Sequence, residues 1–298
     1  MTPDRSQPSP PTVNIIGCGR AAGSLARLWL QASAVQLAAV LNRSRPSADR
    51  AVSNIGAGYA VDGIEDMPPA DCWLIGSGDD QVLAVAHALA ASRADLDDVL
   101  VFHLAGRYGL DVLSPLAERG ARLATLHPVR SLTHAHLTVA QFSGTACVAE
   151  GSAEALARLE PLVAAIGGMW LPVSDIDRGL YHAAVSIVSN VTKGVAWKAQ
   201  NWLATAGLPA TTAAAVTHQL LASTMDDLFR SGARQSITGP VVRGDTRTIE
   251  AHLEALRATH PDDLDVYRIL ARIVLELAQE RGDLDADTLA RFDSLLKG

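Results

Sequence analysis

Apolar and polar positions follow two textures along this chain. From residue 12 to about 148, short and largely apolar runs alternate with longer alanine- and leucine-rich stretches. The runs Val13–Ile16, Val35–Leu41, Cys72–Ile75, Val99–His103, Leu123–Leu126 and Thr145–Val148 read as strands, and residues 21–32, 80–93 and 111–119 read as helices. Strands that are apolar throughout fit a sheet covered on both faces. Their alternation with helices indicates βαβ units and a mostly parallel sheet. Beyond residue 150 the texture changes. A helical run at 152–166 leads to a short extended piece, Trp170–Val173. Almost everything after it has helical periodicity: 176–206 ending at Gly207, a helix from Pro209 to Phe229–Arg230 before Gly232, the loop 233–245, and helices at 246–258, 262–281 and 285–296. Pro261 and Asp285 are start signals. The predicted architecture is α/β, a doubly wound, mostly parallel sheet (residues 12–165), followed by an all-helical domain (residues 166–298).

Composition narrows the classes. With 298 residues and 48% hydrophobic content the chain can bury a sizeable core and is not globally disordered. The net charge of −7, from 25 basic and 32 acidic residues, argues against a nucleic-acid partner. The three cysteines, Cys18, Cys72 and Cys147, form no CxxC pair, so no disulfide framework and no metal site is expected. Residues 1–11 are polar and proline-rich and read as a disordered tail without the apolar core of a secretion signal. No segment reaches the roughly 18 apolar residues that span a bilayer. A cytoplasmic protein with no membrane partner is the expectation.

The first strand runs into Gly17-Cys18-Gly19-Arg20-Ala21-Ala22, a GxGxxA turn that opens a helix. Gly17 permits the tight turn, Gly19 lets backbone N–H groups approach a diphosphate, and Ala22 allows close helix–strand packing. The helix N-terminus adds partial positive charge. Dinucleotide binding is therefore predicted, against the plain alternative of a tight turn in a non-binding domain. The second strand ends in Asn42-Arg43-Ser44-Arg45. A site for NAD(H) places an acid here, for the ribose 2′-OH. Two guanidinium groups and a hydroxyl suit a 2′-phosphate instead, so NADP (NADPH) is the predicted cofactor. The bland reading is that Arg43 and Arg45 are ordinary solvated charges. Gly76 and Ser77, after the strand Cys72–Ile75, either line the cofactor or form a simple strand–helix turn.

Five motifs together carry a resemblance: the Gly17–Arg20 turn, His103-Leu104-Ala105-Gly106, Leu126-His127-Pro128, Leu180-Tyr181-His182-Ala183-Ala184 with Ser189-Asn190, and the loop Thr238-Gly239-Pro240-Val241-Val242-Arg243-Gly244-Asp245. In their order and spacing the chain, over about residues 12–295, resembles the Rossmann-like oxidoreductases with a helical C-terminal domain of formerly unknown function. These are relatives of pyrroline-5-carboxylate reductase, 6-phosphogluconate dehydrogenase and ketopantoate reductase. The resemblance implies an NADP-dependent oxidoreductase, a homodimer formed through the helical domain, and ketopantoate as one branch's substrate. Two departures are Ala22 at the third fingerprint position and Val129-Arg130-Ser131-Leu132 after the His-Pro pair, where an aromatic residue often stands.

His182, Ser186, Ser189, Asn190 and Lys193 fall at helical offsets 0, 4, 7, 8 and 11, which share one face of a regular helix. Such a stripe faces solvent, a partner or a cleft. Relatives of the family carry a catalytic Lys and Asn on the first helix after the nucleotide domain, although in a different order and spacing. Lys193 is the expected proton donor to the substrate oxygen, Asn190 its orienting amide and His182 a further catalytic group, with Ser186 lining the substrate. His103 and His127, each just past a strand, either face the nicotinamide together or are hydrogen-bonded structural residues. His87, His134, His136, His218, His252 and His260 have no such placement. Arg243 can clamp a substrate carboxylate, and Asp245 either holds that guanidinium or caps the helix from Thr246. The expected activity is hydride transfer between NADP(H) and a small carbonyl or imine substrate with a carboxylate. The competing readings are an NADP(H)-binding sensor without turnover and an oligomerisation protein that has lost its cofactor.

Overall fold

The computed structural model describes residues 9–92, 94–132 and 137–297. The tail reading at residues 1–8, and His134 and His136, lie outside them. The strands in chain order are β1 (Thr12–Ile16), β2 (Gln36–Leu41), β3 (Tyr59–Val61), β4 (Cys72–Ile75), β5 (Leu100–His103), β6 (Arg122–Pro128), β7 (Ala146–Gly151) and β8 (Met169–Pro172). The helices are α1 (Arg20–Gln31), α2 (Arg45–Ile55), α3 (Val82–Ala91), α4 (Ser114–Ala117), α5 (Val139–Phe142), α6 (Ala153–Ala165), α7 (Arg178–Ser186), α8 (Thr192–Thr205), α9 (Ala210–Ser236), α10 (Thr246–Thr259), α11 (Leu264–Arg281) and α12 (Ala286–Leu296). The chain divides into two units, Met1–Asn190 and Val191–Gly298.

The first unit holds one sheet of order β3-β2-β1-β4-β5-β6-β7-β8. All neighbouring strands run parallel except β6 and β7. Successive strand residues point to opposite faces, and each face has its own core. Val13, Ile15, Leu74 and Phe102 pack with α1 and α6 on one side. Ile16, Trp73, Ile75 and Val101 pack with α3 and α4 on the other. This doubly wound arrangement is the architecture the apolar runs predict. Trp29 on α1 donates through Nε1 to the Leu162 carbonyl at 2.9 Å, tying α1 to α6. The β1–β2 register slips between Val13 and Ile15. There the fully buried Asn14 accepts from the Ala39 N–H at 3.1 Å and donates to the Pro68 carbonyl at 2.7 Å. A buried amide that the ladder leaves unpaired is thereby satisfied.

β8 pairs with β7, so Met169–Pro172 belongs to the sheet and the unit boundary lies at Asn190, beyond the sequence-based division at 165/166. The sequence marks Trp170–Val173 as extended, but only backbone pairing with β7 shows that this edge strand closes the sheet.

The second unit is helical throughout its regular structure. Val241, Ile249, Leu253, Leu275, Phe292 and Leu296 form its core. Gly232, at φ 77°, breaks α9 near its end, at the position the sequence marks as a stop. Asp263 accepts from Trp202 Nε1 at 2.9 Å and from the Lys198 ammonium, joining α8 to the start of α11.

Candidate functional site

Parallel strands gather their carboxyl ends at one rim of the sheet. β1 delivers Gly17 there, β4 delivers Gly76 and Ser77, β5 delivers His103 and β6 delivers His127. Gly17 has φ +82°, and a Cβ on it would lie 2.4 Å from the Ser77 amide nitrogen. A Cβ on Gly76 would lie 2.5 Å from that of Ala22 and 2.6 Å from the Gly17 carbonyl oxygen. These two glycines let the turns after β1 and β4 interlock. Gly19 differs: a Cβ on it would meet only the Gly76 oxygen, at 3.9 Å. The space beside Gly19 is therefore open to an approaching group. Gly19 is also the N-cap of α1, and no side chain caps that helix end. Its first N–H groups are available to an anion.

The turn is held from outside. The Cys18 N–H donates to Asn42 Oδ1 at 2.6 Å, and Asn42 Nδ2 donates to Ser47 Oγ at 3.2 Å. Asn42 thus braces the turn and also lines the cleft over the strand ends. Burial pushes the Cys18 thiol up to about 12. Ser77 Oγ is buried with no partner among the described residues. A cleft of about 700 Å³ opens over the ends of β1, β2 and β4, lined among others by Gly17, Asn42, Arg43 and Ser77. Arg43 is exposed and makes no ion pair among the described residues. Ser44 is the N-cap of α2, yet its side chain makes no capping bond. Arg45 is committed elsewhere. It donates through Nε to Asp49 at 3.0 Å and through Nη1 to Asp62 at 2.9 Å. Of the two arginines expected at a 2′-phosphate, Arg43 makes no ion pair among the described residues, whereas Arg45 meets the carboxylates of Asp49 on α2 and Asp62 after β3. Arg20 is exposed at the first position of α1, with Ala21 half-buried and Ala22 buried beside it.

Further along the rim the two histidines part company. His103 is fully buried. Its Nδ1 accepts from the Ala105 N–H at 3.1 Å, so Nε2 carries the proton and donates to the Gly109 carbonyl at 3.0 Å. Burial lowers its pKa. Both nitrogens are consumed in shaping the loop after β5, which corrects the expectation that His103 contacts substrate. His127 is half-buried, and its Nδ1 lies 2.7 Å from the Tyr181 hydroxyl. The two rings meet edge to face at 83°, and the His182 ring lies 6.2 Å away. The ring rests on Gly106, where a Cβ would fall 2.8 Å from Cε1. Burial, then the nearby His182 and Arg178, push the His127 pKa down to about 4, with Asp79 pulling the other way. Its imidazole is therefore neutral at pH 7. Burial raises the Tyr181 pKa.

Tyr181 and Arg178 are site residues that sequence reasoning missed. Arg178 is only 8% exposed. Its Nε donates to Glu150 at 3.0 Å, and its Nη2 donates to Thr125 Oγ1 at 2.9 Å and again to Glu150. Nη1 is buried with no partner among the described residues. The guanidinium carbon lies 5.9 Å from the Tyr181 ring centroid. Tyr181 stands inside the Leu180–Ala184 motif, which is the signal for it in the sequence. Arg178 follows Asp177, the N-cap that signals this helix start.

The expected single-face stripe also needs correction. A π-helical segment, Ile187–Val191, separates α7 from α8. It adds about one residue to a turn, so the α-helical offsets that put His182, Ser186, Ser189, Asn190 and Lys193 on one face do not apply across it. Ser186 is half-buried and Asn190 exposed. Lys193, Arg243 and Asp245 lie in the second unit. Lys193 and Arg243 are exposed. Asp245 caps α10, accepting from the Thr248 N–H at 3.1 Å and the Thr248 hydroxyl at 2.6 Å. These bonds form the helix cap that the sequence offers as one of the two readings of Asp245. Among the described residues no group of three or more His, Cys, Asp or Glu side chains is placed to hold a metal ion, and no helix is long and apolar enough to cross a membrane.

The sheet order and the glycine turn after β1 define a Rossmann-type nucleotide-binding fold. Residues 2–128 match the family model of the Rossmann-like domain, and residues 145–274 match that of domain of unknown function DUF2520. The chain is a Rossmann-like domain followed by a DUF2520 domain, in agreement with the family resemblance of its motifs. No curated protein matches it. Among solved structures it is similar to a Bacteroides fragilis protein provisionally described as an NADP oxidoreductase, at 20% identity and TM-score 0.74, covering 90% of this chain and 99% of that one. It is also similar to an imine reductase from Myxococcus stipitatus in complex with NADP+, at 14% identity and TM-score 0.61, covering 95% and 99%. A pyrroline carboxylate reductase from Plasmodium falciparum with NADP bound has 11% identity and TM-score 0.60, covering 96% and 99%. These likenesses establish the fold.

Proposed function

We propose that this protein is an NADPH-dependent oxidoreductase that reduces a small carbonyl or imine compound carrying a carboxylate, a ketopantoate-like 2-oxo acid foremost. One observation carries the reading. The space beside Gly19 is open at an uncapped helix end, and in the interlocked turn after β4 the Ser77 hydroxyl is buried with no partner among the described residues. These residues fit a dinucleotide: the amides after Gly19 for the diphosphate, Ser77 for a further polar contact, and Arg43 with Ser44 for a 2′-phosphate. The end of β2 offers no carboxylate for a ribose 2′-OH. When bound, the reduced nicotinamide supplies the hydride. The NADP complexes named among the similar structures support the same cofactor.

The protein's own part is to orient the substrate and handle its charge. His127 and His182 stand at the rim in the first unit. In the second unit Arg243 has a guanidinium with no ion pair among the described residues, and its planar fork suits a carboxylate. Exposed apolar side chains such as Leu220 and Phe229, 64% and 81% exposed, support dimerisation through the helical unit.

The test is a fluorescence titration of the purified protein with NADPH and NADH, followed by a screen of 2-oxo acids and cyclic imines for loss of nicotinamide absorbance. Arg43→Ala is expected to weaken NADPH binding about 10- to 100-fold with little effect on NADH, the size of one charge-assisted hydrogen bond. Arg45→Ala is expected to leave the NADPH-to-NADH ratio near that of the parent. Failure to bind either nucleotide overturns the reading. Tight binding without turnover of any acid or imine points to a sensor.

A further inference from the structure

A reductase must deliver a proton as well as a hydride, and the rim offers one pair of side chains built to relay it. His127 Nδ1 and the Tyr181 hydroxyl lie at 2.7 Å. A relay needs an entrance and an exit. His103 has neither, because both its nitrogens are bound to backbone. His127 has an entrance, since no residue among those described pairs with its Nε2. Tyr181 has the exit, for when His127 Nδ1–H donates to its oxygen, the Oη–H is left to donate outward. The pair is held in register. Gly106 leaves room for the His127 ring, and Arg178, on the first turn of the same helix as Tyr181, is fixed by Glu150 and Thr125.

Resting on the reductase reading, we propose that Tyr181 is the catalytic acid of this site and that His127 refills it by changing tautomer. The reduced nicotinamide, when bound, would supply hydride to the substrate carbon, and the π electrons of the C=O or C=N bond would move onto the heteroatom. That atom takes the Oη proton of Tyr181. The Nδ1 proton of His127 passes to Oη, and Nε2 takes a proton from water, leaving hydroxide to the solvent. The ring is neutral before and after, and both residues end protonated once. With water in place of product, the reverse relay restores the starting tautomer. The burial that keeps His127 neutral suits this role, because a charged imidazolium has no lone pair at Nε2 to receive a proton.

Three measurements test it. The first is NADPH titration of the wild type, whose failure removes the reductase reading itself. The second compares Tyr181→Phe and Lys193→Ala in single-turnover reduction of ketopantoate and of a cyclic imine. Tyr181→Phe is expected to bind NADPH as the parent does and to lose about 10²- to 10⁴-fold in rate, the usual worth of a positioned acid. A Tyr181→Phe rate within about threefold of the parent, or a large loss confined to Lys193→Ala, overturns the proposal. The third is ¹⁵N NMR of the ligand-free protein, which needs no substrate and stands if neither compound turns over or Tyr181→Phe fails to fold. A neutral His127 with its proton on Nδ1 supports the relay, and a neutral ring protonated on Nε2 alone overturns it.

Discussion

Arg178 and Glu150 form a nearly closed ion pair, with side chains 8% and 21% exposed, at the point where the first turn of α7 meets β7. Removing one member of such a pair leaves the other desolvated and unpaired. Arg178→Met is therefore expected to cost about 3 kcal/mol in urea denaturation, the low end for a broken buried pair, given Glu150's partial contact with water. Replacing both, as Arg178→Met with Glu150→Leu, should recover most of that loss. If the double variant is as unstable as the single one, the pair is not the source of the effect.

The interlock of the two glycine turns leaves no room for a methyl group. Gly76→Ala would set its Cβ 2.5 Å from that of Ala22 and 2.6 Å from a backbone oxygen. Overpacking of this kind costs about 1–3 kcal/mol. Backbone displacement at Gly17 should weaken NADPH binding at the same time. Gly19→Ala meets nothing closer than 3.9 Å, so it should keep parental stability and lose binding alone. Denaturation curves and nucleotide titrations on the two variants separate these outcomes.

His127 makes stability depend on pH in a defined direction. In the unfolded chain its pKa is about 6.5, and in the fold it is pushed down to about 4. The unfolded state therefore takes up the proton first. The contribution of a neutral His127 is complete above pH ~6.5 and lost as the pH falls from ~6.5 toward ~4. His103, also shifted down, acts in the same direction. Urea unfolding should show a larger drop in stability between pH 7 and pH 5 for the wild type than for His127→Gln. Equal drops would show that His127 titrates alike in both states.

Asp245 separates a structural duty from a substrate contact. Asp245→Ala removes the cap of α10 and should lower the thermal midpoint by a few degrees. NADPH affinity and the KM for any 2-oxo acid should hold. A raised KM at unchanged stability would support the substrate reading.

Much of this fold is legible in the sequence because strands covered on both faces and helices with apolar stripes leave periodic records. What stayed hidden depends on pairing between distant backbone segments. β3 is only three residues long, and β8 is an edge strand of four. Nothing local in β7 announces that it runs antiparallel to β6. The candidate site divides in the same way. The glycine turn is contiguous, so its chemistry is written in one stretch of residues. The contacts that commit Arg45 and Asn42 are set by the tertiary packing of β2, α2 and β3. His127 and Tyr181 stand 54 residues apart and meet only once the sheet and α7 are built. The π-segment is a matter of one backbone turn, which side-chain periodicity over Ile187–Val191 does not encode.

The half-buried thiol of Cys18 has a chemical consequence. Sulfur attacks peroxides and alkylating agents as the thiolate, and burial holds that form far out of reach at neutral pH. The glycine turn therefore carries a sulfur atom whose raised pKa keeps it a thiol at neutral pH, and iodoacetamide is expected to label the folded protein at Cys18 more slowly than the unfolded chain.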